Sequence, residues 1–454
     1  MAAEARSFFA PQAWVDGAWA SDVLLSCGAD GHWSAIEAGM QPPPGAQRLD
    51  GPVLPGLVNA HSHAFQRAIV GMTERSGAAE DDFWSWRDRM YSAALRISPA
   101  QLQAVAAFLY SELLACGYTQ VCEFHYLHNA TDGKPYADAA EMSLALVRAA
   151  RQTGIGLTLL PTLYMRSGFG ATGLRDDQCR FASTPDSVLR IGERVQAEAG
   201  PDGLVRSGVA LHSLRAVDHA ALAEVAGAAR GRLPLHIHIA EQTQEVADCI
   251  AQTGHRPIEW LLHNAAPDAG WNLVHATHTT PAELAGLGAA GAAIVVCPST
   301  EANLGDGVFD LPGWLGQGGA WSIGSDSHVT RSWTEELRLL EYSQRLALRQ
   351  RNIAARHGGN ASSAAVLFEG ALRGGSAAAG LPLGGLTAGQ RADFLVLDAE
   401  AAPLLGLPAG HLLDGLVFSS GTAGCIRSVH VAGVPVRQAD TGPAFADAMH
   451  ALWR

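Results

Sequence analysis

The chain has 454 residues, 48% of them hydrophobic, enough for a large buried core and for two domains or one large barrel with an appendage. A net charge of −13 without any run of Lys or Arg excludes the basic surface of a nucleic-acid binder. Seven scattered cysteines without a Cys-x-x-Cys pair predict reduced thiols in a cytoplasmic protein, and no apolar stretch is long enough to span a bilayer.

Met1 to Trp14 carries acidic residues and no apolar h-region, so no signal peptide is expected. Residues 1–52 are rich in Gly, Pro, Val and Trp, with short strand-like pieces. From Val53 onward, apolar runs alternate with helical patterns. The runs end near Val58, His125, Pro161, His212, Ala240, His275, Pro298 and Asp326. Near-continuous apolar runs suit strands of a parallel sheet covered on both faces. Ser98-Pro99 and Thr184-Pro185 each place a capping residue before a proline at the first helical position. Leu284 to Cys297 contains three glycines and reads as a helix end followed by a strand. The pattern predicts an α/β fold, a (β/α)8 TIM-type barrel over residues 53–379. An open doubly wound sheet would need a Gly-rich phosphate turn after the first strand, where His61-Ser62-His63 stands instead. Residues 380–454 again hold short strand-like runs, such as Asp393 to Asp398 and Ile426 to Ala432. They are expected to join residues 1–52 in a small β-sandwich domain built from both termini.

His61 and His63 follow the first run with the i, i+2 spacing that puts both imidazoles on one face of a strand. Later strand ends carry His212, His238, His275 and Asp326, the positions where barrel enzymes collect their chemistry. A lone strand-end histidine is usually packing, and His236, one layer below His238, is expected to be that. Ligands from the first, fifth and eighth strands would instead converge above the barrel. Three imidazoles with one carboxylate (His61, His63, His238 and Asp326) suit one divalent ion, zinc or iron(II), with a position left for water. Such an ion lowers the pKa of water to about 7. Asp326 can ligate and accept the water proton. Glu241, three residues after His238, can turn back over the ion as a proton shuttle; its plainer reading is a carboxylate at a helix start. Arg87 and Arg215 flank the same region and suit bidentate carboxylate binding, although each alone is commonly a solvated ion pair. Lys134, the only lysine, falls in the turn signal Asp132-Gly133-Lys134-Pro135.

The run from Leu54 to His63, with His238, His275, Ser325-Asp326-Ser327 and the segment Gly389 to Asp398, resembles the metal-dependent amidohydrolase superfamily over essentially the whole chain. Many members bridge two metals with a carbamylated lysine on strand four. This chain has no lysine there and resembles the mononuclear deaminase branch. In that branch the resemblance makes Glu241 the proton shuttle and His275 the support of the electrophilic group, with Asp326 completing the catalytic set. Four segments carry a closer likeness: Phe83 to Tyr91, Glu123 to Tyr126, Ala210 to Arg215 and His236 to Gln242. They are similar to the N-formimino-L-glutamate deiminase family of histidine degradation. That likeness implies substrate contacts at Gln66, Arg87, Tyr126, His212 and Arg215, and a small dicarboxylate substrate deiminated to N-formyl-L-glutamate and ammonia. A homodimer is the default expectation, with no nucleic-acid or membrane partner. Besides imidazolonepropionase-like ring hydrolysis, two other readings stay open. One is deamination of a purine, pterin or triazine ring in an aromatic slot lined by Trp84, Trp86 and Tyr126. The other is a metal-free binding or assembly protein on the same scaffold.

Overall fold

The computed structural model describes residues 5–75, 83–200, 203–419 and 421–454, and omits the side chains of residues 83–85 and 423. The side chain of Trp84 therefore lies outside the described residues.

Eight parallel strands form the barrel: β1 (Leu57–Ser62), β2 (Tyr118–His125), β3 (Gly156–Leu163), β4 (Val209–Ser213), β5 (Leu235–Ile239), β6 (Trp271–His275), β7 (Ala293–Val296) and β8 (Trp321–Ile323). They pair in sequence order. Their side chains are buried throughout, as continuous apolar runs covered by helices require. The ring closes where the last strand meets the first. Ser62 bridges Asp326 in parallel, Asp326 N donates to His61 O at 3.0 Å, and His63 N donates to Asp326 O at 3.2 Å. Gly324 permits that approach, because a Cβ there would lie 2.8 Å from the backbone nitrogen and oxygen of His61.

The helix starts read from sequence are present. Ser98 caps Pro99–Ala115 and Thr184 caps Pro185–Ala197, each in a reciprocal capping box. Leu284 to Cys297 is divided between the helix Pro281–Ala290 and β7. Lys134 stands in its exposed turn, 3.3 Å from Asp132 Oδ2.

The first apolar run differs from its sequence reading. It is not one strand ending near Val58 but two, parted at Gly56. Val53–Pro55 pairs with Phe394–Leu397 in the terminal sheet, while β1 begins at Leu57 and continues through His61. At the switch, Gly56 N donates to Asp393 O at 3.0 Å, and any Cβ would meet Thr119 Cγ2 at 2.4 Å.

The chain ends build one mixed sheet from Arg6–Val15, Ala18–Cys27, Trp33–Glu37, Gln47–Arg48, Val53–Pro55, Phe394–Leu397, Ile426–Val431 and Val434–Pro435. Phe8, Val23, Leu25, Trp33, Phe394 and Val396 share its own apolar core. The buried Arg391–Asp393 pair, 2.6 Å apart, joins this sheet to the barrel through a 3.0 Å hydrogen bond from Arg391 to Gln120 Oε1. The last helix, Gly442–Trp453, was not anticipated in a region read as β. It stacks Phe445 on Phe108 with ring centres 4.2 Å apart. Among the described residues no helix is long and apolar enough to cross a membrane, and all seven cysteines are free.

Candidate metal centre and active site

The strand ends bring the expected ligands together. His61 Nε2 lies 3.1 Å from His63 Nε2 and 3.1 Å from His238 Nε2. Asp326 Oδ1 lies 3.4 Å from the Nε2 atoms of both His61 and His63. Second partners fix two of the imidazoles. His63 Nδ1 meets Phe124 O at 2.8 Å and His238 Nδ1 meets His212 O at 2.9 Å. A carbonyl only accepts, so both Nδ1 atoms carry the proton and both Nε2 atoms present lone pairs. Burial pushes His61 down to about 3 and lowers His63 and His238 as well, so the rings are neutral. Neutral imidazoles aimed at one point, with a carboxylate beside them, repel one another unless a cation sits between them. The donor set thus fits a divalent ion. Burial raises Asp326, but the hydrogen bond with His61 and the charge of His275 outweigh it and hold the carboxyl well below the usual carboxylate range.

The chain from Ser62 to Ala64 is held from β2. Glu123, fully buried, accepts from Ser62 Oγ at 2.7 Å, Ala64 N at 2.5 Å and Tyr110 OH at 3.2 Å. Burial pushes its carboxyl up to about 8 against those three donors.

Glu241 and His275 stand beside the cluster. His275 Nε2 is 3.7 Å from Glu241 Oε1 and 3.9 Å from Asp326 Oδ2, and its Nδ1 is 3.2 Å from Glu301 Oε1. Burial lowers His275, yet Glu241, Glu301 and Asp326 together overcome it and lift the ring to about 10. The surrounding carboxylates favour its protonated form. Burial raises Glu241 to about 7; Asp326 and Glu245 push the same way, against His275 and Arg215. A carboxylate near 7 beside a cationic ring is matched to proton transfer at neutral pH.

All five residues expected to touch substrate line one cleft with these groups. Gln66, Arg87, Tyr126, His212 and Arg215 share about 540 Å³ of space with His63, His238, Glu241, His275 and Asp326. Trp86, named above for an aromatic slot, lines the same cleft; Met90, Tyr91, Tyr164, Phe181 and Leu304 complete the wall and were not anticipated. Tyr164 packs on His212 with ring centres 4.3 Å apart. It stands directly after β3, the strand-end position that marked the other residues, but the third run was read as stopping at Pro161. Glu301, which braces His275, was missed for a related reason: no residue was drawn from the segment after β7. His236 is the packing residue expected, fully buried with Nε2 2.9 Å from Ala378 O.

The chain belongs to the amidohydrolase family, whose profile matches residues 53–436. It is 47% identical over 429 residues to the formimidoylglutamate deiminase of Pseudomonas aeruginosa, covering 94% of this chain and 93% of that one. A crystal structure of an amidohydrolase from Brucella melitensis superposes with a TM-score of 0.93 at 41% identity, covering 99% of this chain and 100% of the other. A zinc-bound adenosine deaminase from Xanthomonas campestris shares the fold at 21% identity, with a TM-score of 0.79 over 98% of this chain and 97% of its own.

Four converging ligands without a nearby lysine lead to one expected result here. Elemental analysis of purified protein should find one tightly held divalent ion per chain. Two equivalents required for full activity would contradict a single-ion centre.

Proposed function

We propose that this chain hydrolyses N-formimino-L-glutamate to N-formyl-L-glutamate and ammonia, with zinc as its resident ion. The observation that carries the reading is the pairing of two guanidinium groups, Arg87 and Arg215, with Glu241 and His275 in one cleft. The substrate has the matching layout, with two carboxylates at one end and a formimino group at the other. The 47% identity to an enzyme named for this reaction supports the same assignment.

His61, His63, His238 and Asp326 would hold the ion, which when bound supplies a water acidified to near neutral pH. Arg87 and Arg215 bind the carboxylates through charge-assisted hydrogen bonds and fix the glutamate end. Gln66, Tyr126 and His212 add neutral partners along the wall. Glu241 accepts the water proton as oxygen bonds to the formimino carbon, then passes it to the terminal nitrogen. The proton of the new C–OH group then follows, through Glu241, to the same nitrogen as its bond to carbon breaks, so ammonia leaves and the carbon keeps the oxygen as a formyl group. His275, held by Glu301 on one side, offers its Nε2–H to charge developing at the reacting carbon's substituent.

Product analysis by NMR tests the assignment. Ammonia and N-formyl-L-glutamate are expected; formamide with free glutamate would mean that the other nitrogen leaves. Arg215→Met should lower kcat/KM for this substrate by at least about tenfold, since a charge-assisted contact contributes about 1.5–3 kcal/mol. Efficient turnover of a purine, pterin or triazine amine, unchanged by Arg215→Met, would favour ring deamination. A protein that binds no metal and turns over neither class would be a binding protein.

A further inference from the structure

Glu241 sits on an unusual turn. Ala240, just before it, has φ +52°, the left-handed region that a residue with a Cβ rarely occupies. The carbonyls of this turn are taken by the next strand end, with Ala276 N bonding Ile239 O at 3.1 Å and His278 N bonding Ala240 O at 3.0 Å. Its amides are taken by one side chain. Glu245 Oε1 accepts from Ala240 N at 3.1 Å, and Glu245 Oε2 accepts from Glu241 N at 3.0 Å. Glu245 is buried, 5% exposed, in the first turn of the helix Thr243–Thr253.

A glutamate at that helical position ordinarily closes a capping box on the amide of the capping residue, here Gln242. Glu245 does not. It reaches past Gln242 and clamps the two residues before the cap, one of them Glu241 itself. Both carboxylate oxygens are committed, which a neutral amide side chain cannot reproduce, since its nitrogen donates and does not accept.

We propose that Glu245 is a positioning residue for the reaction: by holding the Ala240 and Glu241 amides together it sets where the Glu241 carboxylate stands over the metal cluster. The inference rests on Glu241 being the proton-transfer group, and not on which amine is the substrate. Glu245 also lines a neighbouring cleft with Arg215, so a rival role as counter-charge to Arg215 needs separating from the positioning role.

A double-mutant cycle separates them. kcat, KM and metal content are measured for wild type, Glu245→Gln, Glu241→Gln and the double variant, on whichever amine the wild type turns over. Glu245→Gln should keep its metal and lower kcat by at least about tenfold, as loss of a charge-assisted hydrogen bond implies. In the Glu241→Gln background the same change should cost less than about threefold, because the group it serves is already gone. An equal factor in both backgrounds would make Glu245 a helix-stabilising residue only. A loss confined to KM would assign it to Arg215. Loss of metal would assign it to the ligand scaffold. Each of these overturns the proposal. A Glu241→Gln variant with normal kcat would overturn the shuttle role directly, in a single variant that leaves Glu245 untouched. Should Glu245→Gln fail to fold, Glu245→Asp keeps the charge one methylene short and runs the same cycle.

Discussion

Glu241→Gln is expected to keep one metal ion per chain and to lower kcat roughly 10²–10⁴-fold, the range that a positioned acid–base group contributes. The variant removes a protonation change and little else. The side chain stays isosteric, 8% exposed, and is not among the converging His61, His63, His238 and Asp326 donors. The pH profile supplies a second readout. Burial raises Glu241 to about 7 in the absence of an ion, and a nearby divalent cation draws it lower. A base must begin ionised, so wild-type kcat/KM should fall as pH drops through that value, giving an acid limb with its midpoint below about 7. The limb should be missing from the residual activity of the Gln variant. Near-normal kcat would leave Glu241 as a carboxylate at a helix start and nothing more.

His238→Ala is expected to lose both the ion and the activity. Changes to groups outside the ligand shell already cost about 10–100-fold in metal affinity, and direct removal of one donor should cost more. His238 has a second tie that sharpens the test. Its Nδ1 is bonded to the carbonyl of His212, so the variant also frees a backbone acceptor at the end of β4. His236→Gln provides the comparison. That ring lies two residues away on the same strand and bonds Ala378 O, so its loss should lower thermal stability while the metal content stays at one. Elemental analysis of the two variants side by side decides the matter. Metal retained by His238→Ala would remove it from the ligand set.

The position of the site was legible because strand ends in a parallel barrel are marked by the apolar runs that precede them. His61, His63, His238, His275 and Asp326 each follow such a run, and geometry did the rest. The Gly56 division was not legible. Val53 to Val58 is apolar throughout, and nothing in a continuous run tells where a strand changes sheets. That depends on Asp393, more than three hundred residues later, taking the Gly56 amide. The bracing carboxylates were hidden for the same reason. Glu123, Glu245 and Glu301 look like ordinary acidic residues until packing shows which amides and rings they hold. The last helix was a different failure. Phe445, Met449 and Leu452 recur at a helical period, but the surrounding Gly, Pro and Val content suggested strands.

The closure of the barrel also has a meaning for how the chain comes to work. The seam between β1 and β8 runs through the candidate metal centre: His61 and His63 stand on one lip, and Asp326 on the other, hydrogen-bonded to their backbone. A nascent chain that has made only the first five strands already carries all three imidazoles, yet it lacks the carboxylate and the edge that brings that carboxylate in. Coordination by all four donors would therefore require a completed ring. An ion held there also ties the oldest strand of the barrel to the youngest, so that release of the metal and opening of the seam are two views of one equilibrium.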